Sequence, residues 1–433
     1  MDRMSIGLKL YLVFIVSWFL HLGARIELLG TMRVDLMLVV VLVVLAAKQY
    51  FAAGAHTTQT ERILRALIAY SILTIPFVEW PGSVIKDGLQ TLIKAIVFYY
   101  FTVAFIESER DLRRFLVVFL ACQLFRILEP LYLHVAFGYW GSQASMSGWE
   151  SLDRLSGAPS DVVNPNGLAF IVCTVLPFLY FMASFSRAYK LAALVFVPVS
   201  IYVLLLTGSR SGLIGLFVIC AGVVYKSKSR LLMVAVPIAG IALIGSLSML
   251  SPDMQDRYLS IIGKGEKNAS TAEDRWEGME DQLNVAMRRP FFGHGIGTSP
   301  EANGNFSTSG PYAGRTMPAH NLYLEIVQEL GLIGLAIFLV FIKSIFSGFR
   351  GGDSQSFISE EGSILARLKM AMQVWLIMNI VFSLVSYGLT SYEWYLFAGL
   401  SVVAQRLSTF KKVLKTEMKL VGTIRYSRAG LER

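Results

Sequence analysis

STAEDRWEGMEDQLNVAMRRPFFGHGIGTSPEANGNFSTSGPYAGRTMPAHNLYLEIVQEL, residues Ser270–Leu330, is the only long polar stretch lying between hydrophobic blocks of this chain. Ser270 and Thr271 stand three residues ahead of Glu273 and Asp274, the spacing of a capping box. An amphipathic helix is expected from Asp274 to Arg289, with Trp276, Met279, Leu283, Ala286 and Met287 on its apolar face. Arg275 then falls in the first turn, against the macrodipole, which points to some other task for its charge. Pro290 stops this helix, and Gly293, Gly295 and Gly297 give a tight turn. The stretch ends on His320, at the foot of a new apolar helix.

Outside this stretch the chain is written for lipid. It is 55% hydrophobic and only 16% charged, where soluble domains carry about 25% charged residues, and its mean hydropathy is +0.57. Backbone in a bilayer must satisfy itself, so helices or closed barrels are the options, and the apolar runs have helix length. The expected fold is all-α: a polytopic membrane protein with about 12 transmembrane helices. The spans lie near 8–23, 34–52, 66–80, 89–106, 115–135, 167–184, 190–206, 213–225, 231–249, 321–346, 368–388 and 391–406, the eighth extending back through Ser209. No cleavable leader is expected, because the first block runs into further spans. Cys122, Cys173 and Cys220 sit in apolar blocks without disulfide or metal-ligand spacing and read as packing residues.

Lysine and arginine set the orientation. With the N-terminus inside, most of the 39 basic residues fall on the cytoplasmic side, and the bias alternates through every loop. The net charge of +9 is then explained by topology and anionic membrane lipid, with no need of nucleic acid. Residues 1–249 carry spans 1–9, with outer loops at 137–165 and 208–212. Residues 250–320 form a large helical extracytoplasmic loop between spans 9 and 10, residues 321–406 carry spans 10–12, and 407–433 form a basic cytoplasmic tail.

The unusual residues gather on the outer side. In TGSRSG, residues 207–212, backbone N–H groups of a short turn can cradle an anion and Arg210 can fork two phosphate oxygens; the plainer reading is a snorkelling interfacial arginine. In DRLSGAPSDVVNPNGLAF, residues 153–170, Asn164 or Asn166 can cap the next helix, whereas capping does not account for Arg154. In AHNLYLEIVQELGLIGL, residues 319–335, nearby cations should lower the pKa of His320 and keep it a neutral proton acceptor. His294, in the glycine turn, is the nearest competitor for that part, and a Gly-flanked loop should hold it less firmly. Glu280 and Asp281 more simply form a solvated helix face than a metal site. Arg126 and Glu129 are three apart and can pair along one helix.

Taken in order, RLSG…NPN, GSRSG, RRPFFGHGIG and HNLYLEIVQELGLIG resemble the O-antigen ligase and polymerase superfamily of bacterial envelope proteins over residues 153–335. Asn164 departs from the pattern, which often has an acidic residue there. The resemblance implies an inverting glycosyltransferase in the bacterial inner membrane, working on its periplasmic face without nucleotide, metal or other cofactor. Its donor would be an undecaprenyl-diphosphate-linked glycan. The acceptor hydroxyl would belong to lipid A core, or else to a glycan or a protein. The implied catalytic set is His320 as general base, with Arg210 and Arg275 stabilising the leaving diphosphate. Arg154, Asn166, Arg315, Asn321 and Glu325 are the substrate contacts, Glu325 serving also as partner for the second ring nitrogen of His320. A polysaccharide polymerase or a protein glycan transferase would share this chemistry. A lipid-linked glycan flippase would instead need ionisable groups at the bilayer midplane, for which Lys94, Arg126 and Glu129 are the candidates, and a scaffold would leave His320 dispensable.

Overall fold

An apolar run of bilayer length leaves the backbone no hydrogen-bonding partner but itself, so the chain must coil, and a small polar side chain at the start of a coil can accept its first free N–H groups. A computed structural model of the protein describes residues 4–52, 57–141, 154–161, 163–230, 233–234, 237–238, 240, 245, 251–260, 270–307, 313–317, 321–350, 364–386 and 388–429, the side chains of 51–52, 270–276 and 411–429 excepted. Among the described residues it is helical, without strands. The helices are α1 (Ile6–Phe19), α2 (Val34–Ala52), α3 (Gln59–Leu73), α4 (Leu89–Phe105), α5 (Glu109–Phe137), α6 (Pro165–Met182), α7 (Arg187–Leu206) and α8 (Arg210–Ser227). They continue with α9 (Pro252–Leu259), α10 (Ser270–Ala286), α11 (Ser299–Phe306), α12 (Leu322–Gly348), α13 (Ile364–Phe382) and α14 (Tyr392–Ala429). Ser5, Thr58, Ser108, Asn164, Ser186, Ser209 and Asn321 each cap a helix start through the side chain.

Among the described residues, seven helices are long and apolar enough to cross a membrane: α4 with the short turns before it from Pro81, α5, α6, α7, α8, α12 and α13. They coincide with seven of the twelve expected spans. Of the others, α1 is a shorter apolar helix of 14 residues. The expected span at 66–80 is instead α3 ending at Leu73, followed by a 3-10 turn holding Pro76, a residue that cannot donate to a continuing helix. Most of 231–249, the side chains of 411–429 and residues 430–433 lie outside the described residues.

Packing in the helical core is largely aromatic. Tyr11, Phe14, Phe98, Phe101, Phe115 and Phe119 bury one another where α1, α4 and α5 meet. Helix α14 lies along α4, close enough that a Cβ on Gly399 would stand 3.0 Å from the Tyr99 carbonyl oxygen. Helix α13 is enclosed by α6, α8 and α14, with buried Trp375 against Phe397 at 3.8 Å between ring centres.

Polar contacts also join segments far apart in the sequence. Tyr70, Phe77 and Glu79 meet the 289–294 loop. Arg367 donates to Ser184, and Lys369 to the Arg350 carbonyl and Ser408. Arg126 and Glu129 do not pair with each other. Arg126 makes a two-point contact with Asp161, and Arg25 does the same with Glu129. Partners brought from other segments offer the planar, bidentate geometry that a neighbour three residues along the same helix does not.

The central irregularity is in α12. Gly331 takes φ 69° and ψ −174°, a region open in practice only to glycine, and divides the helix into an outer piece, 322–330, and a long apolar one. The glycine-rich loop lies in the break. Leu332 N–H donates to Pro290 O at 2.7 Å, His294 N–H to Gln328 O and Gly295 N–H to Glu329 O, both at 2.8 Å. The Tyr70 hydroxyl reaches the carbonyls of Phe291 and Leu330 at 2.8 and 3.0 Å. Every residue of the outer piece except Tyr323 and Leu324 is buried, and its polar side chains each hold a different neighbour. Glu325 accepts from Gly388 and Leu389 N–H, Gln328 donates to Asn303, and Glu329 accepts from Ser299 N–H at the start of α11.

Helix α10 differs from expectation in two ways. It already includes Ser270, so Arg275 stands in its second turn and not its first, and it ends at Ala286, ahead of Pro290. Its buried face carries Gly278, Asp281, Gln282, Val285 and Ala286, while Leu283 and Met287 are 42% and 44% exposed. Asp281 is buried because it accepts from the Ser307 hydroxyl. The exposed apolar residues continue into Phe291 and Phe292, as on a helix lying at a bilayer interface.

A Cβ on Gly331 would collide with the Phe291 carbonyl, whereas Gly314, φ +65°, faces open space. Gly331→Ala should therefore cost about 3 kcal/mol or more, combining backbone strain and clash, and Gly314→Ala only about 1–2 kcal/mol from strain alone. Thermal unfolding of both variants checks this, and equal losses would mean the break does not hold the loop.

Candidate functional site

The end of α7 and the start of α8 are joined by Thr207–Gly208–Ser209, and the turn has two opposite needs. Helix α7 presents its last carbonyls there, and α8 its first N–H groups. The N–H groups are met locally: Ser209 Oγ accepts from Gly212 N–H and lies 3.0 Å from Ser211 Oγ, and Thr207 Oγ1 accepts from Ser209 N–H. The carbonyls are met from afar. Arg154 Nε donates to Thr207 O at 2.8 Å, Arg257 Nε to Gly208 O at 2.8 Å, and the Tyr258 hydroxyl to Leu205 O at 3.0 Å. Burial pushes the Tyr258 phenol pKa up, which keeps it a neutral donor. Gly208, at φ +58°, lets these groups in: a Cβ there would stand 2.8 Å from Met254 Sδ and 3.4 Å from both Arg154 Nε and Arg257 Cδ.

Arg154 and Arg257 are 4% and 2% exposed, so two guanidinium groups are held within the protein at a single turn. Cations are favourable at a helix C-terminus, which accounts for part of the arrangement. Arg210, at the first position of α8, donates through Nη1 to Ser260 Oγ at 2.9 Å and ties the turn to the end of α9. Arg154 reaches on through Nη2 to Asn166 Oδ1, also at 2.9 Å. Arg154, Asn166 and Arg210 thus meet around the 207–212 turn, although no spacing in the sequence relates residues 154 and 166 to 210.

Arg257 was missed in the sequence. The available signal was its position in PDMQDRYL, a stretch expected on the side where basic residues should be scarce. Asn164 is a helix cap, its side chain accepting from Gly167 N–H at 2.8 Å. Asn321 accepts from Tyr323 and Leu324 N–H and donates to Leu384 O. Arg315 is exposed on the loop after α11. Arg275 lies in α10, which packs on α12, and its side chain is outside the described residues, as is His320 altogether. Both flanks of His320 are fixed: Asn303 donates to Met317 O at 2.7 Å, and Leu322 N–H to Ser383 O at 2.9 Å.

His294 is held more firmly than a glycine-flanked loop implied. It is fully buried, with Nδ1 3.1 Å from Glu79 Oε2 and Nε2 3.1 Å from Val285 O, between Trp80 and Phe306. Both ring nitrogens face acceptors, so the ring is a structural link between the loop and the Glu79 segment.

Beside the turn, and sharing Asn166 with it, lies a cavity of about 260 Å³ between the start of α6, the first residue of α12 and the segment joining α13 to α14.

Removing the Arg257 donor while keeping its stem, as in Arg257→Met, leaves the Gly208 carbonyl unmet in a buried place and should lower stability by about 1–3 kcal/mol. Thermal melts in nanodiscs would reveal it, and a wild-type melt would remove Arg257 from the support of this turn.

No curated protein matches the chain. Residues 192–339 match the sequence model of the family described as O-Antigen ligase. The match begins inside α7, takes in the arginine turn, Arg257, α10 and His320, and ends inside α12. Residues 192–339 are thus similar to the O-antigen ligase family, within a chain whose described residues are helical and include membrane-length helices.

Proposed function

We propose that the protein is a membrane glycosyltransferase that moves a glycan from an undecaprenyl-diphosphate carrier to an acceptor hydroxyl, lipid A core first among them, on the periplasmic face of the bacterial inner membrane. The observation that carries this reading is the arrival of Arg154 and Arg257, from two separate segments, at the turn that carries Arg210 within residues 192–339. Breaking the bond between sugar and diphosphate leaves growing negative charge on phosphate oxygens. Fixed guanidinium groups beside a helix N-terminus are suited to stabilise that charge without reorganising. Arg275, carried by α10 over α12, is the further arginine assigned to the same anion. Arg315, exposed on the outer loop, is assigned to a later part of the glycan.

In the proposed step the acceptor oxygen attacks the anomeric carbon from the face opposite the diphosphate, with inversion. The carbon–oxygen bond to the carrier breaks, its electron pair stays on the diphosphate, and the acceptor proton passes to His320. Asn321 holds the flank of that histidine through the bonds described above and acts as a positioning residue, while Glu325 braces the 388–389 segment. No nucleotide enters, since the carrier diphosphate is itself the leaving group.

Two measurements test the reading. In single-turnover transfer with saturating donor, His320→Ala should lose roughly 10²–10⁴ in rate, the usual worth of a placed general base. Wild-type activity should also fall at acid pH as the imidazole, whose free pKa is about 6.5, takes up a proton. Arg210→Lys keeps charge without the planar fork and should fall well below wild type; wild-type rates in both variants would end the proposal. For orientation, a cysteine at Asn284 on the exposed side of α10 should react with an impermeant thiol reagent from the periplasm, and one at Ala188 only after the membrane is opened. The reverse pattern would place the arginine turn in the wrong compartment.

A further inference from the structure

The cavity beside the arginine turn has a chemistry of its own. Its polar lining is amide and hydroxyl: Asn164, Asn166, Asn379, Ser383 and Ser391. Among the described residues that line it, Glu393 is the single ionisable one, and it accepts from the Ser391 hydroxyl. Phe170, Phe382 and Trp394 give it aromatic surface, the first two packed edge to face at 5.0 Å. Asn379 is only 4% exposed, yet its Nδ2 has no hydrogen-bond partner among the described residues. A buried amide donor left unmet is costly, and such groups are rare in folded proteins. This one lines a cavity with room for a ligand.

A lining without lysine or arginine does not select an anion, and one so rich in amides and hydroxyls does not select a lipid chain. Several neutral donors and acceptors against aromatic faces suit a ligand that has hydroxyls around its rim and C–H bonds on its flat sides. We propose that this cavity is a subsite for one neutral pyranose ring, with Asn379 Nδ2 donating to one hydroxyl and Glu393 accepting from another. Asn166 belongs both to this cavity and to the arginine cluster, so the ring sits next to the place where an anion is held. The proposal rests on the transfer reading for its setting, and it deepens that reading by naming the chemistry that meets the sugar. Apart from Leu322, the named lining lies outside residues 192–339, so the matched region alone does not supply it. The ring is either the one attached to the carrier diphosphate or the one that bears the acceptor hydroxyl.

The test uses the full chain in nanodiscs, with Val385, which also lines the cavity, replaced as Val385→Cys. Its alkylation rate is measured with methyl glycopyranosides at millimolar concentration, with and without Asn379→Leu. At least one pyranoside should slow alkylation several-fold, and Asn379→Leu should abolish the slowing without lowering the melting temperature, because the leucine removes an unmet donor at similar volume. No slowing by any pyranoside, or slowing that persists in Asn379→Leu, overturns the subsite. Binding of sugar-free undecaprenyl diphosphate is measured in parallel on wild type and Arg210→Lys. If that binding fails while pyranosides still protect, the transfer reading falls and the sugar site stands. Slowing by the sugar-loaded carrier beyond the bare carrier assigns the ring to the donor, and slowing by a phosphate-free acceptor oligosaccharide assigns it to the acceptor.

Discussion

A helix broken at Gly331 exposes carbonyls and N–H groups that a bilayer boundary cannot hydrate fully, and each one left unmet would cost on the order of 1–3 kcal/mol. The protein meets them mostly with main chain, helped by one tyrosine hydroxyl. Pro290, His294 and Gly295 exchange hydrogen bonds with Leu332, Gln328 and Glu329, and Tyr70 closes the remaining gap. The outer piece of α12 is thereby fixed at an angle the long apolar piece could not impose. From it Glu325, Gln328 and Glu329 hold the 388–389 segment and α11 in place. The flank of His320, the wall of the cavity and the seat of the polar loop all follow from that one discontinuity.

The arginine turn solves a related problem with charge. The negative end of α7 and the positive end of α8 lie three residues apart. Arg154 and Arg257 meet the carbonyls of the first, while serine and threonine hydroxyls meet the second. What stabilises the fold and what is proposed to stabilise a leaving group are therefore the same guanidinium groups. A substitution at either position changes both, so rate and melting temperature have to be read together.

Much of this was legible in the sequence where the cause is local. Asn164 announces a helix start because a cap acts over two or three residues, whereas Ser209, read as part of a span, and Asn321, read as a substrate contact, prove to be caps as well. Membrane-length helices announce themselves by composition, and the arginine of GSRSG by its place in a short turn. The long-range partners were not legible. Arg126 with Asp161, Arg25 with Glu129, and Arg257 with Gly208 join segments that no spacing relates. Nor did ELGLIGL betray its break, since a glycine in an apolar helix is ordinarily tolerated and the φ it adopts is imposed by the loop docked against it. The buried face of α10 was misplaced for a similar reason. Asp281 becomes a core residue only because Ser307 supplies its hydrogen bond, and Leu283 can face outward only where outward is apolar.

The order in which the chain is made bears on the contact between Tyr70 and the loop at Phe291, 221 residues later. At a synthesis rate of about 5–20 residues per second, that partner emerges roughly 10–45 s after Tyr70 itself. Glu79 waits comparably for His294, at a separation of 215 residues. Throughout that interval α3 and the turns after it lack their cover, so this part of the protein is completed from the late part of the chain backward. Closure over so long a span is slow by its entropy alone. The first helices therefore have to be held by their aromatic packing to α4 and α5 long before the groups they will finally bind exist.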